Sequence, residues 1–133
     1  MSEPYVAVVG AVNMDVCGRP YQKLILRDSN PGAVSYTPGG VGRNIAHDLR
    51  LLGVPVRFVT VFGDDPYGEA LRESCTSLGM IIEDAETMPG MRTSTYLYIT
   101  DEHGEMQLAL SDTDISESTE QSLLFNATKH PFR

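Results

Sequence analysis

The run Pro38-Gly39-Gly40-Val41-Gly42-Arg43-Asn44-Ile45-Ala46 carries the chemistry most open to reading in this chain. Three glycines lead into a short amphipathic stretch that ends at Gly53. Glycine lets backbone approach a ligand closely and takes positive φ without steric cost. The free N–H groups of a helix start then point at whatever polar group sits there. A dinucleotide fingerprint fails here, because the G-x-G-x-x-G pattern needs glycine where Ile45 stands. A tight turn with no ligand is the plain alternative.

Asn13 and Asp15 follow the first apolar run. In open α/β sheets ligands bind beyond the C-terminal ends of strands. A carboxylate there accepts two hydroxyl hydrogen bonds, the chemistry of sugar recognition. A loop Asx-turn explains the same residues equally well. Thr93, Ser94 and Tyr96 offer a polar strand face that is either solvated or ligand-facing. Asp112 and Asp114 read as site carboxylates or as turn residues. Asp64 and Asp65, ahead of Pro66, read as a helix cap rather than a metal pair. Cys75 reads as core, and His47, His103 and His130 are too scattered for a catalytic constellation.

These residues need elements to hold them. Tyr5 to Val9 and Val56 to Phe62 are short β-branched runs that predict buried strands. Between them the spacing predicts a helix with Ile45, Ala46, Leu49 and Leu52 inward and Arg43, Asp48 and Arg50 outward. Strand, crossover helix, strand predicts a parallel sheet. A second helix follows Asp65-Pro66, and Met80 to Glu83 is expected as a third strand. Residues 93–111 predict a hairpin turning at Asp101 to Glu105, and residues 16–37 hold short apolar pieces around the turn Ser29-Asn30-Pro31-Gly32. Together these two segments predict a small β-sheet flap. Ser118-x-x-Gln121 resembles a capping box before Leu123-Leu124-Phe125, with Pro131 closing any helix.

The 133 residues, 41% hydrophobic and 21% charged, suit one globular domain over 1–133. A net charge of −8 argues against nucleic acid. No apolar run is long enough to span a bilayer, and no signal peptide is visible. Two cysteines without metal-like spacing fit a reducing, cytoplasmic setting. Asn126-Ala127-Thr128 matches a glycosylation acceptor, which carries no weight there.

Gly39-Gly40-Val41-Gly42-Arg43-Asn44-Ile45-Ala46, with Gly53 and Gly63 downstream, resembles the N-terminal signature of the ribokinase (pfkB-type) carbohydrate kinases. The resemblance covers residues 5 to about 116. Ser29-Asn30-Pro31-Gly32, Gly104-Glu105-Met106 and Ser111-Asp112 with Ile115-Ser116 resemble the pseudouridine kinases within that family. The resemblance implies part of a three-layer α/β/α fold with a β-sheet lid near residues 16–37 and 93–111. It implies a sugar held by Asn13, Asp15, Gly39, Gly40, Gly42 and Asn44, with Ser94, Tyr96 and Asp112 as further candidates. It implies ATP, Mg2+ and a possible monovalent cation, served by residues that this chain lacks. It also implies dimers through the lid strands. The family's general base lies in a second glycine-rich run, and no glycine follows Gly104 here. The chain alone is therefore expected to bind sugar or nucleoside without phosphorylating it. The tail from residue 117 departs from the family pattern.

Overall fold

A computed structural model describes residues 3–129. In chain order the elements are β1 (Val6–Val9), β2 (Asn13–Pro20), β3 (Gly32–Gly39), α1 (Val41–Leu51), β4 (Val56–Val59), β5 (Val61–Gly63), α2 (Pro66–Ser77), β6 (Glu86–Met88), β7 (Thr95–Thr100), β8 (Met106–Asp112) and α3 (Asp114–Ala127). Two layers of sheet result. β1 pairs in parallel with β4 across α1, and β5 pairs in parallel with β6 across α2. A separate four-stranded sheet has the order β3-β2-β7-β8, with β2 and β7 parallel and the other pairs antiparallel.

The core joins these layers. Val8, Val12, Met14 and Phe58 pack with Phe62, Leu71 and Cys75 in one buried cluster. Met14 and Val16 belong to β2, so the second sheet is rooted in the same core as the parallel strands. A smaller cluster of Val59, Val61, Ile115 and Leu123 seats α3.

Several sequence expectations need correction. The run Val56 to Phe62 is divided at Thr60, whose carbonyl accepts the Glu86 N–H at 2.9 Å and so starts the pairing with β6. Met80 to Glu83 makes only a single bridge, Arg57 with Ile81. A turn closed by the Ala85 N–H on the Ile82 carbonyl (3.1 Å) ends that pairing, and the third strand forms at Glu86–Met88. On α1, Gly42 and Ala46 are buried while Ile45 and Leu52 are 49% and 78% exposed. The close approach of Gly42 to Gly10 turns the helix so that its small residues face inward. Arg43 and Arg50 are correspondingly half-buried rather than outward. Arg50 donates to the Leu78 carbonyl (3.2 Å) and the Val54 carbonyl (2.9 Å), tying the C-terminal ends of α1 and α2 together. Ser118 lies inside α3, which begins directly after β8 with Thr113 as its N-cap. Pro131 and His130 lie outside the described residues. Asn126 is buried, and its amide donates to the Asp84 carbonyl and the Glu86 carboxylate, so it is no open acceptor for a glycan.

Candidate functional site

The site forms where the end of β1 runs into β2 and meets the start of α1. Gly10 to Val12 is clamped to the glycine turn. The Arg43 N–H donates to the Ala11 carbonyl at 3.0 Å. Gly40 has φ +97°, and a Cβ there would lie 2.6 Å from the Ala11 oxygen. Only glycine serves at such a position. α1 consequently starts on a glycine with no side-chain cap and no acidic residue in its first turn. In contrast, α2 is capped by Asp65, whose side chain accepts the Gly68 N–H.

The clamp delivers Asn13 and Asp15 onto one face of β2. Residues two apart on a strand share a face. Asn13 stands opposite Gly39 on β3, and Asp15 stands between Thr37 on β3 and Tyr96 on β7. A Cβ on Gly39 would lie 2.6 Å from the Asp15 Cγ, so the carboxyl occupies the space which glycine leaves. Ser94 adjoins this group, for the Met14 N–H donates to its carbonyl at 2.9 Å. Cys17 and Tyr98 continue the same face along the β2–β7 pair. Thus Asn13, Asp15, Gly39, Gly40, Ser94 and Tyr96 are brought together. Gly42 and Asn44 lie one step along on α1, with Asn44 exposed.

Asp112 is not part of this group. It pairs with Thr95, which pairs with Met14, and so belongs to the opposite face of the sheet. There its carboxylate takes the Arg92 Nε at 2.6 Å and lines a cavity of about 300 Å³ with Asp65, Tyr67 and Thr93. Ser111 is the β8 residue on the Asp15 face. Thr93 and Ser94 are each 1% exposed, so neither belongs to a solvated strand face. Thr93 is held structurally: its N–H and hydroxyl both donate to Asp65, and its hydroxyl accepts the Gly63 N–H.

The electrostatics of the cluster are uneven. Burial pushes the Asp15 carboxyl above its ordinary value, and the positive charge of Arg43 pulls it back in part. The Tyr98 phenol is also raised, first by its hydrogen bond with Cys17 and then by that group's charge, by burial and by Asp15. Among the described residues four buried side-chain polar atoms lack a partner: Asn13 Oδ1, Arg43 Nε, Thr60 Oγ1 and Ser94 Oγ. Buried polar atoms in a native fold are normally satisfied. Here three of the four belong to the start of α1 after the glycine turn (Arg43), to β2 (Asn13) or to the residue that leads into β7 (Ser94).

Sequence reasoning missed Arg43 as a member of this cluster, and the spacing that placed it on the outer face of α1 gave no signal for it. Tyr98 and Cys17 were not singled out from the sequence either; their shared face with Asp15 follows from the β2–β7 register. No group of three or more His, Cys, Asp or Glu side chains among the described residues could hold a metal ion. Among the described residues no helix is long and apolar enough to cross a membrane.

The profile of the pfkB family carbohydrate kinases matches residues 3–130. The chain is 41% identical over 114 residues to a pseudouridine kinase of Escherichia coli, covering 86% of this chain and 36% of that protein. A carbohydrate kinase from Agrobacterium tumefaciens superposes with a TM-score of 0.73 at 30% identity, over 85% of this chain and 36% of that one. A ribokinase of Arabidopsis thaliana, solved with ribose and ATP, superposes with a TM-score of 0.74 at 19% identity, over 84% and 36%. The chain thus spans little more than a third of the length of these relatives, and its sheets and helices are part of a ribokinase-like fold. By sequence profile, identity and fold alike, it belongs to the pfkB family of carbohydrate kinases.

Proposed function

We propose that this chain forms the substrate-binding part of an ATP-dependent kinase acting on the 5′-hydroxyl of pseudouridine. The supporting observation is the set of unpartnered buried atoms, Asn13 Oδ1 and Ser94 Oγ, beside the Asp15 carboxylate. Asp15 offers acceptor lone pairs to two hydroxyls, and Ser94 Oγ can donate or accept. The Asn44 amide and the backbone at Gly40 and Gly42 supply donors. Hydroxyls of a ribose ring would satisfy all of these at once. The E. coli relative named a pseudouridine kinase supports the nucleoside over a free sugar.

In this reading the sheet β3-β2-β7-β8 is the lid. β2 and β3 run three and two residues beyond the expected segment 16–37, while β7 and β8 span Thr95–Asp112 against the expected 93–111. Closing it over the ring would exclude water, the competing phosphoryl acceptor. The protein's contribution to such a transfer is mainly positioning and charge stabilisation. The polypeptide described here binds sugar and does not by itself turn over ATP.

Calorimetry of the chain with pseudouridine, ribose and fructose tests this, together with an ATP-consumption assay. Binding of pseudouridine in the wild type and its loss in Asp15→Ala is the expected result. Each lost charged hydrogen bond should cost about 1.5–3 kcal/mol. Equal affinity in the two chains would mean that the site lies elsewhere, and ATP turnover would refute the inactivity.

A dimer through the lid is a second reading, favoured by one observation. Val34, Tyr36, Leu97, Leu108 and Leu110 are all exposed, and all lie on the sheet face opposite Asp15. A contiguous apolar face of this kind marks an interaction surface.

A further inference from the structure

Arg43 follows the last glycine of the turn and has no place in the hydroxyl-binding set above. Its Nη1 donates to Asn44 Oδ1 at 3.2 Å. Its Nε is buried without a partner, and its charge reaches Asp15 on β2 and Cys75 on α2. The Arg43 N–H holds the Ala11 carbonyl at 3.0 Å, which fixes the first turn of α1 against the loop leading into β2. A guanidinium carries only donors, so only the carbonyl oxygen of Asn44 can face it. The Asn44 NH2 is then the half of the amide left for a ligand.

We propose that Arg43 is a positioning residue that sets the hydrogen-bonding polarity of the cleft, turning the Asn44 NH2 outward and facing the Asp15 carboxylate with a positive charge. This rests on the reading of the cleft as a hydroxyl site. The preferred ligand then has adjacent hydroxyls, one donating to Asp15 and one accepting from Asn44, as a vicinal diol does. The charged or titratable groups set around Asp15 are Arg43 from α1, Tyr96 and Tyr98 from β7 and, on β2 itself, Cys17. Tyr98 is neutral throughout the acid range, and β3 presents uncharged Thr37 opposite Asp15. Arg43 is thus the charged group that opposes the effect of burial on Asp15.

The test compares wild type, Arg43→Lys and Arg43→Met in the 133-residue chain. The first measurement is a carboxyl 13C NMR titration of ligand-free protein, with the Asp15 resonance assigned by Asp15→Asn. In Arg43→Met the Asp15 titration should move to higher pH; in Arg43→Lys it should stay near the wild type. The second is calorimetry with pseudouridine across pH. Arg43→Met should bind about tenfold more weakly at neutral pH, the equivalent of one lost charged hydrogen bond, and lose binding at a higher pH than wild type. Arg43→Lys should weaken binding without moving that pH, because an ammonium keeps the charge but not the planar fork. A merely structural role would lower the urea midpoint of Arg43→Met and leave the Asp15 titration unmoved; that result overturns the proposal, as does equal affinity in all three chains. If wild type binds no ligand, the hydroxyl-site reading fails, and the NMR titration still decides whether Arg43 acts on Asp15.

Discussion

Replacing Asp65 by alanine should weaken the joint between the α/β layer and the second sheet out of proportion to one capping residue. Asp65 Oδ1 accepts the Gly68 N–H at 2.8 Å and the Thr93 hydroxyl at 2.5 Å, and Oδ2 accepts the Thr93 N–H at 2.8 Å. Losing the cap costs about 1 kcal/mol. Thr93 is 1% exposed, so its freed N–H meets no water and costs about 1–3 kcal/mol more. A total of about 2–4 kcal/mol is a large part of a total stability of about 5–15 kcal/mol. At an m-value of about 2 kcal/mol per M the urea midpoint falls by roughly 1–2 M. Far-UV circular dichroism reads this directly, and a double-mutant cycle with Thr93→Val isolates the coupling. A loss below about 1 kcal/mol, or strict additivity, would refute the joint. The pH dependence has a definite sign. Burial opposes ionisation of Asp65, but the Thr93 hydroxyl, the Thr93 N–H and the Gly68 N–H outweigh it and hold the carboxyl below its ordinary value. Its stabilisation is present above pH 3.8, the unfolded value, and fades as pH falls through the folded one, so wild type and variant converge in acid.

Asp15→Asn should behave in the opposite way. Its folded carboxyl titrates above the unfolded value of 3.8, so ionised Asp15 opposes folding at neutral pH and not below 3.8. Thermal melts should show the variant more stable than wild type at neutral pH, with the gap closing in acid, while calorimetry shows weaker sugar binding. Ser94→Ala removes a hydroxyl with no partner, so the urea midpoint should hold or rise while affinity drops; a destabilisation above about 1 kcal/mol would mean the hydroxyl is bonded after all. Gly40→Ala forces φ +97° on a side chain that would press on the Ala11 oxygen, and should cost at least about 1–3 kcal/mol in thermal or urea denaturation. Leu110→Glu on the exposed sheet face should shift gel filtration toward the monomer if that face joins two copies.

The features legible in the sequence were those that act locally. The glycine turn, the Asp65-Pro66 helix start and the hairpin turn at Asp101 each depend on neighbours a few residues away. At that turn, Asp101 Oδ1 accepts the N–H groups of both His103 and Glu105, and Gly104 takes φ +86°. What stayed hidden depends on partners distant in the chain. Whether Arg43 and Arg50 face water is decided by how closely Gly42 approaches Gly10, and periodicity places both arginines outward. The face of Asp112 turns on a single step of strand register, which puts Ser111 where Asp112 was expected. Ser94 looks like a solvated strand residue until β2 covers it. Met80 to Glu83 bridges β4 at a single residue and Glu86 to Met88 pairs with β5, and the turn at Ile82 to Ala85 that separates the two leaves only the second long enough to be a strand.

β2 pairs with β3 of the outer sheet along its whole length, and Asn13 and Asp15 alternate with Met14 and Val16, which are anchored in the main core. In the lid reading, the carboxylate that would grip a ring therefore sits at the rooted end of the cover rather than in the floor beneath it. Grip and shutting cannot be tuned independently in such a layout. On that reading a substitution that stiffens the core end of this strand would alter how tightly the ring is held even though it touches no ligand, and a ligand lacking the matching hydroxyl would fail to draw the cover down.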